Sequence, residues 1–488
     1  MLRESIRVGR TALLGSHLLI VPLVAGQLGC SDEETGALPP PTTTSSTTDA
    51  RLVAVDVTPT AAAIDEGDTQ AFSAVATYED QGTRDVSSSC SWDSSDETVA
   101  TVDGTGVASG LVAGQAVVTA TFQGLSDVAE LTVRSPWPSC SLPQTDWEVR
   151  TPAELGVDGT ALDEALAYLE SESGQDGIEE VVVIRNGCLI WRGTDIDNAH
   201  STWSVGKVFT STALGLLVED GLCTLSDLVS DVEPALASDY GQVTHEHFAT
   251  MTSGYDGAGG PRWASPTPTY GDWSATPYQP GTPLFAPGTD YLYWDEAMMM
   301  FARALTRIAG EDLYELLDRR IAQPIGMTWD WETEGTVDGI TIRQGSGMVI
   351  VSARELARFG QLFLRRGRWN DQQLVSEAWV DTATQSHVPT GVALFETTDW
   401  NDDHLGIDGR GVYGYHWWTN GIKADSTRDL PDAPLGTFYR TGYNHNMLVI
   451  IPEWHMVIVR LGVDGTPDNR MEIWNEVLRQ IGAAMLDP

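Results

Sequence analysis

Residues 146–488 carry strand-forming runs at both ends and helical periodicity between them, which restricts the fold more than any other feature of the chain. At the near end, Val181-Val-Val-Ile-Arg and Leu189-Ile-Trp-Arg flank Asn186-Gly187. That dipeptide suits a two-residue hairpin turn, because both of its positions need positive φ. At the far end, Phe438-Tyr-Arg-Thr-Gly, Met447-Leu-Val-Ile-Ile-Pro and Met456-Val-Ile-Val-Arg-Leu read as three further strands. Helices are expected from Asp158 to Glu172 and from Asn469 to Met485. Short connections between strands favour antiparallel neighbours. The expected fold class is therefore α+β: an antiparallel sheet built from both ends of the domain, with helices and an inserted, mostly helical region. A domain closed in this way cannot be cut into independent folding units.

The preceding segment has a different grammar. Between Arg51 and about Val133, Val53-Ala-Val-Asp-Val-Thr, Gln70-Ala-Phe-Ser-Ala-Val-Ala-Thr-Tyr and Ala116-Val-Val-Thr-Ala-Thr-Phe alternate with period two, punctuated by Gly and Asp. Short strands at such spacing indicate an all-β sandwich over residues 51–134, followed by a proline-containing linker at 135–145. Ahead of it, residues 31–50 include a Pro/Thr/Ser run that cannot form a core and reads as an extended tether.

Residues 1–30 read as an export signal, with Arg3, Arg7 and Arg10 before an apolar stretch broken by Pro22. The ending Gly-Gln-Leu-Gly-Cys30 resembles a lipoprotein signal, and Ser31 then suggests an outer-membrane address. Because Gln27 departs from the usual aliphatic residue, simple secretion to the periplasm or cell surface is the alternative. Either route places the chain in the cell envelope, touching a membrane only through a lipid anchor at Cys30, and a monomer is expected.

Export exposes cysteines to an oxidising compartment. Beyond Cys30 there remain Cys90, Cys140, Cys188 and Cys223, which allow three connectivities. Pairing within domains would join Cys188 to Cys223, and Cys90 to Cys140. No zinc-type cysteine or histidine spacing occurs, so neither a metal nor any other cofactor is expected. A formal net charge of −41 repels phosphate backbones and argues against nucleic-acid partners.

Only two residues, Lys207 and Lys423, are lysine; every other Lys/Arg position is arginine. Arginine keeps its proton in proteins, whereas a partly buried lysine can release it. Lys207 lies in Ser201-Thr-Trp-Ser204-Val-Gly-Lys207-Val-Phe-Thr-Ser, at the head of a helical pattern that runs through Leu217 and stops at Gly221. Ser204 thus occupies a helix N-terminus, where free N–H groups favour developing negative charge. Lys207, three residues on, shares its face. A serine hydroxyl needs a nearby base to become a nucleophile. By itself such a pair is equally a capping serine beside a solvated lysine.

Two more segments give the pair a context: Pro287-Gly-Thr-Asp-Tyr-Leu-Tyr293-Trp-Asp295, which leads into a helix, and Arg440-Thr441-Gly442-Tyr443 on a strand. In order and surroundings the three resemble the serine β-lactamase and penicillin-binding-protein superfamily, closest to class C β-lactamases, their esterase relatives and the 6-aminohexanoate-dimer hydrolases. Phe248-Ala-Thr-Met-Thr-Ser-Gly, the stretch from Gly345 to Asn370 and Tyr413-Gly-Tyr-His-Trp-Trp resemble further family segments. The β segment, with Ser91-Trp-Asp-Ser-Ser-Asp-Glu-Thr-Val-Ala-Thr-Val-Asp, resembles a bacterial Ig-like group 2 domain, which implies a spacer or adhesive module with Trp92 in its core.

The resemblance implies Ser204 as nucleophile, Lys207 and Tyr293 as proton relay, and the N–H groups of Ser204 and Tyr443 as oxyanion hole. It places Arg440, Thr441 and Gly442 at the third motif. Tyr291 fits the second motif less well than Tyr293. Asp295 stands where the pattern often has asparagine, and its charge is expected to keep Lys207 protonated, so that Lys207⁺ lowers the pKa of Tyr293 as the immediate base. Aromatic residues Trp263, Tyr270, Trp273 and Tyr278, with Trp417 and Trp418, are expected to wall the pocket. The implied activity is hydrolysis of a small-molecule ester, amide or peptide through an acyl-serine. Alternatives are a β-lactamase, a D,D-peptidase, or a surface adhesion protein with a dead catalytic fold.

Overall fold

The computed structural model describes residues 51–80, 82–135, 137–143, 145–258, 277–396, 406–463 and 470–486. The expected signal and tether, and Trp263, Tyr270 and Trp273, lie outside the described residues.

Alternation builds the first domain. Strand Ser73–Tyr78 buries every second residue, and Gly114–Phe122 buries Ala116, Val118 and Ala120. Leu52–Thr58, Ser73–Tyr78 and Thr83–Asp85 form one sheet; Ala61–Asp65, Leu125–Arg134, Gly114–Phe122 and Ser91–Ser94 form a second. The inward faces meet around Val57, Phe72, Val118 and Leu131. Trp92 is buried there, and its indole N–H donates to the Ser87 carbonyl at 2.8 Å.

The second domain uses fully buried strands. A six-stranded antiparallel sheet runs in the order Cys188–Arg192, Val181–Arg185, Met456–Arg460, Asn446–Ile451, Phe438–Gly442, Trp418–Thr419. The chain's two ends therefore meet where Val181–Arg185 pairs with Met456–Arg460. Asn186 and Gly187 turn the first hairpin with φ of +49° and +75°. Complete burial of the central strands requires cover on both faces. Helix Ala353–Leu364 lies against Leu448 and Val457 at Gly360. Helices Gly159–Glu172 and Met471–Ala484 pack on each other and add Leu162, Leu166, Trp474 and Leu478 to the same core. Asp158 caps the former by accepting from the N–H groups of Thr160 and Ala161.

The segment read as a linker is fastened to this domain. Arg358, wholly buried, donates to the carbonyls of Pro143 at 3.0 Å and Thr145 at 2.8 Å. The Cys140 N–H donates to the Asn186 carbonyl at 3.0 Å, which lays this segment along the hairpin. The expected cysteine pairing is corrected here: the disulfide joins Cys140 to Cys188, with Cα atoms 5.2 Å apart, while Cys90 and Cys223 are free and buried. Pairing within domains presumed a detached linker, whereas the hydrogen bond at the hairpin turn carries Cys140 to Cys188.

Candidate active site

Ser204 sits in the 3₁₀ turn Trp203–Gly206, which runs into helix Lys207–Glu219. The turn is held from two sides. Thr202 donates both its N–H and its hydroxyl to the Val349 carbonyl, at 2.8 and 3.0 Å. Gly347, at φ +145°, crosses so near that a Cβ there would stand 2.2 Å from the Trp203 carbonyl oxygen. That crossing delivers the Ser346 carbonyl to the Lys207 ammonium at 2.5 Å. From the other side, a Cβ on Gly442 would meet the Thr202 carbonyl oxygen at 2.4 Å and the Ser204 nitrogen at 3.2 Å, so this position of the Arg440 strand admits only glycine.

The side chains converge on the half-buried Ser204. Lys207 Nζ lies 2.9 Å from Ser204 Oγ and 2.5 Å from Asp295 Oδ1, and 4.8 Å over the Tyr293 ring. Tyr293 shares a hydrogen bond with Ser204 and receives one from Arg440 Nη2. Lys207, Tyr293, Asp295 and Arg440 are all buried. Asp295 opens helix Asp295–Ala309, where the helix dipole favours a carboxylate. Tyr291, by contrast, is packed away from Ser204 against Tyr413 and Gly409.

Arg440 faces inward. Its Nε donates to the Ser204 carbonyl at 2.8 Å, and its Nη1 to the Tyr413 hydroxyl at 3.0 Å and the His416 carbonyl at 3.1 Å. Thr441 is half-buried on the same strand, opposite Met447. Tyr443 meets Trp203 edge to face at 5.2 Å, at the strand's end.

The expected role of Tyr293 as immediate base turns on the charges and the burial around it. Burial pushes its phenol up to about 12, Arg440 pulls it down and Asp295 pushes it up. The cation that opposes burial is thus Arg440, which touches the phenol oxygen, and not Lys207, which stands over the ring. Burial also pushes Lys207 down, with Asp295 pulling it back up and Arg440 pushing it down again; the outcome is a lowered pKa. Asp295 does favour the ammonium, but desolvation outweighs it. Lys207 Nζ thus faces three oxygens, Ser204 Oγ, the Ser346 carbonyl and Asp295 Oδ1. Arg440 donates to Tyr293, Tyr293 shares a hydrogen bond with Ser204, and Lys207 Nζ donates to Ser204 Oγ and the Ser346 carbonyl while it is ion-paired with Asp295.

The aromatic wall is corrected in part. Trp418 stacks on Tyr293 at 6.2 Å, but Trp417 is core, packed between Phe363 at 4.9 Å and Phe438 at 5.2 Å. Tyr278 is half-buried, with the Arg303 guanidinium 5.5 Å over its ring. Sequence reasoning missed Tyr413, fully buried between Tyr293 and Arg440, and the Ser346 carbonyl. Both lie in family-like segments, so those segments were the available signal.

Comparison with known proteins agrees with this layout. The beta-lactamase family model matches residues 180–482, and the model for the bacterial Ig-like domain (group 2) matches residues 53–133. The chain is 23% identical over 351 residues to a 6-aminohexanoate-dimer hydrolase of Paenarthrobacter ureafaciens, covering 66% of this chain and 81% of that one. It is 38% identical over 111 residues to ice-binding protein 1 of Shewanella frigidimarina, covering 23% of this chain and 12% of that protein. A solved structure from Bacteroides dorei, assigned as a candidate beta-lactamase, shares the fold with a TM-score of 0.50 at 16% identity, covering 67% of this chain and 99% of that one. The serine, lysine and tyrosine that the fold gathers thus stand inside a family match that spans more than half of the sequence, and the chain belongs to the beta-lactamase family as a serine hydrolase that follows an Ig-like domain.

Proposed function

We propose that this enzyme hydrolyses uncharged esters or linear amides through an acyl group carried on Ser204. The observation that supports it is the series of hydrogen bonds from Arg440 through Tyr293 and Ser204 to Lys207, which is in turn ion-paired with Asp295. Ser204 Oγ attacks the carbonyl carbon while its proton passes to the Lys207 amine. The bond to the leaving group breaks, and Tyr293 O–H protonates the departing oxygen or nitrogen. The resulting phenolate, held by Arg440, takes a proton from the water that attacks the acyl-enzyme. Lys207 then returns its proton to Ser204 Oγ as the acyl group leaves. The N–H groups of Ser204 and Tyr443 would receive the oxyanion, a contribution of about 3 kcal/mol per donor.

The preference for uncharged substrates rests on Arg440. Its guanidinium is spent on four partners of the protein itself, so it offers nothing to a substrate carboxylate, and Asp295 adds negative charge nearby. A fluorophosphonate probe should label the wild type and leave Ser204→Ala unlabelled. Turnover should then rank p-nitrophenyl butyrate and the uncharged anilide p-nitrobutyranilide above nitrocefin and a D-Ala-D-Ala peptide. Labelling that persists in Ser204→Ala removes the nucleophile. Nitrocefin or the peptide as the best substrate removes the ester or linear amide reading and leaves the acyl-serine intact.

A further inference from the structure

Between the Ig-like and catalytic domains lies a cleft of about 820 Å³ whose charge runs against the rest of the chain. The protein carries 69 acidic residues to 28 lysines and arginines, yet Arg134, Arg365, Arg366 and Arg368 all line this cleft, with Glu377 as its one carboxylate. Arg366 is neutralised by Asp96, by Glu377 at 3.0 Å and by Asp381 at 2.5 Å. Among the described residues, Arg134, Arg365 and Arg368 pair with no carboxylate.

Three features show that these guanidiniums are gathered, not scattered. Arg365 and Arg368 flank the tight turn that follows helix Ala353–Leu364, where the Arg368 N–H donates to the Arg365 carbonyl at 3.1 Å. Both side chains are exposed at the cleft, where crowding by the surrounding protein and the charge of Arg368 push the Arg365 pKa down. The helix C-terminus favours a positive charge at Arg365, but it does not account for Arg134, which comes from the last residue of strand Leu125–Arg134 in the other domain. The cleft also holds a buried polar side chain in want of a partner. Gln361 is 3% exposed, and its side-chain oxygen has no hydrogen bond among the described residues.

We propose that this cleft binds a multivalent oxyanion, with Arg134 contributed by one domain and Arg365 and Arg368 by the other. Guanidinium forks recognise phosphate and carboxylate with paired hydrogen bonds. A volume of about 820 Å³ admits a ligand larger than a single phosphate. The site is separate from Ser204 and does not depend on the reaction proposed there. Two sources supply the shared chemistry: a small polyphosphate and an acidic oligosaccharide.

Isothermal titration of the full chain with sodium pyrophosphate and with trigalacturonate tests the proposal and separates the sources. Binding of either probe is expected, weakening as sodium chloride rises, and the probe that binds names the source. The double variant Arg365→Gln/Arg368→Gln should weaken binding at least about tenfold, with its fold checked by circular dichroism. Arg134→Gln, which alters an exposed side chain, should also weaken it, and carries the test alone if the double variant does not fold. Absence of binding by both probes at millimolar concentration overturns the proposal, as does binding that all the variants retain unchanged.

Discussion

The Ig-like and catalytic domains of this chain treat ionisable groups in opposite ways. In the Ig-like domain, Asp85 at a strand's end and Asp103 in a loop are exposed, and Ser87 and Thr105 donate to their carboxylates and hold their pKa values down. Water stabilises the charge, and neighbouring hydroxyls trim it. In the catalytic domain, Lys207, Tyr293, Tyr413 and Arg440 are buried together, and desolvation is the largest influence on each. There a proton's position depends on which neighbour can replace water. One chain thus holds exposed acids that water and neighbouring hydroxyls keep charged, and a cluster whose ionisation is set by the removal of solvent.

This contrast can be broken by removing the core of one domain and asking whether the other notices. Trp92→Ala should destabilise the Ig-like domain by about 3–5 kcal/mol, read as an earlier calorimetric transition, with p-nitrophenyl butyrate turnover within about twofold of wild type at 25 °C. A parallel loss of turnover would show that the two domains are one cooperative unit.

Within the buried cluster, Tyr293→Phe removes the phenol proton and keeps the ring stacked on Trp418. The expected result is a fall in kcat of about 100-fold or more with little change in Tm. Unchanged kcat would move the acid role away from Tyr293.

The smallest effect sharpens the contrast most directly. Asp295 raises the pKa of both Lys207 and Tyr293, so Asp295→Asn lowers both. The base form of Lys207 then persists to lower pH, and the acidic limb of kcat/KM should move down by about one pH unit. An unmoved limb would mean that Asp295 does not govern the proton on the relay. The corresponding change at an exposed loop, Asp103→Asn, should leave the limb where it is.

Much of the fold was legible because its signals are local. Period-two alternation marked the Ig-like strands, Asn186-Gly187 marked the hairpin, and Asp158 marked the start of the helix that it caps. Helical spacing put Ser204 and Lys207 on one face, but their candidate roles, and the preference for Tyr293 over Tyr291, came only through the family resemblance. The cysteine pairing was not legible, because it depends on how residues 137–143 run across the hairpin. Trp417 and Trp418 are adjacent and alike, and only the sheet's pleat sends one into the core and the other to Tyr293.

The residues by themselves determined which chemical groups are available and in what order: a hydroxyl, an amine, a phenol, a carboxylate and a guanidinium, carried on a helix start, a second helix start and an edge-proximal strand. Tertiary structure alone decided which of these groups lose their solvent and where Arg440 points. Both follow from burial and from contacts between residues as much as 236 positions apart, and the free energy of a charge depends on the solvent and neighbours around it, which no local pattern of residues contains.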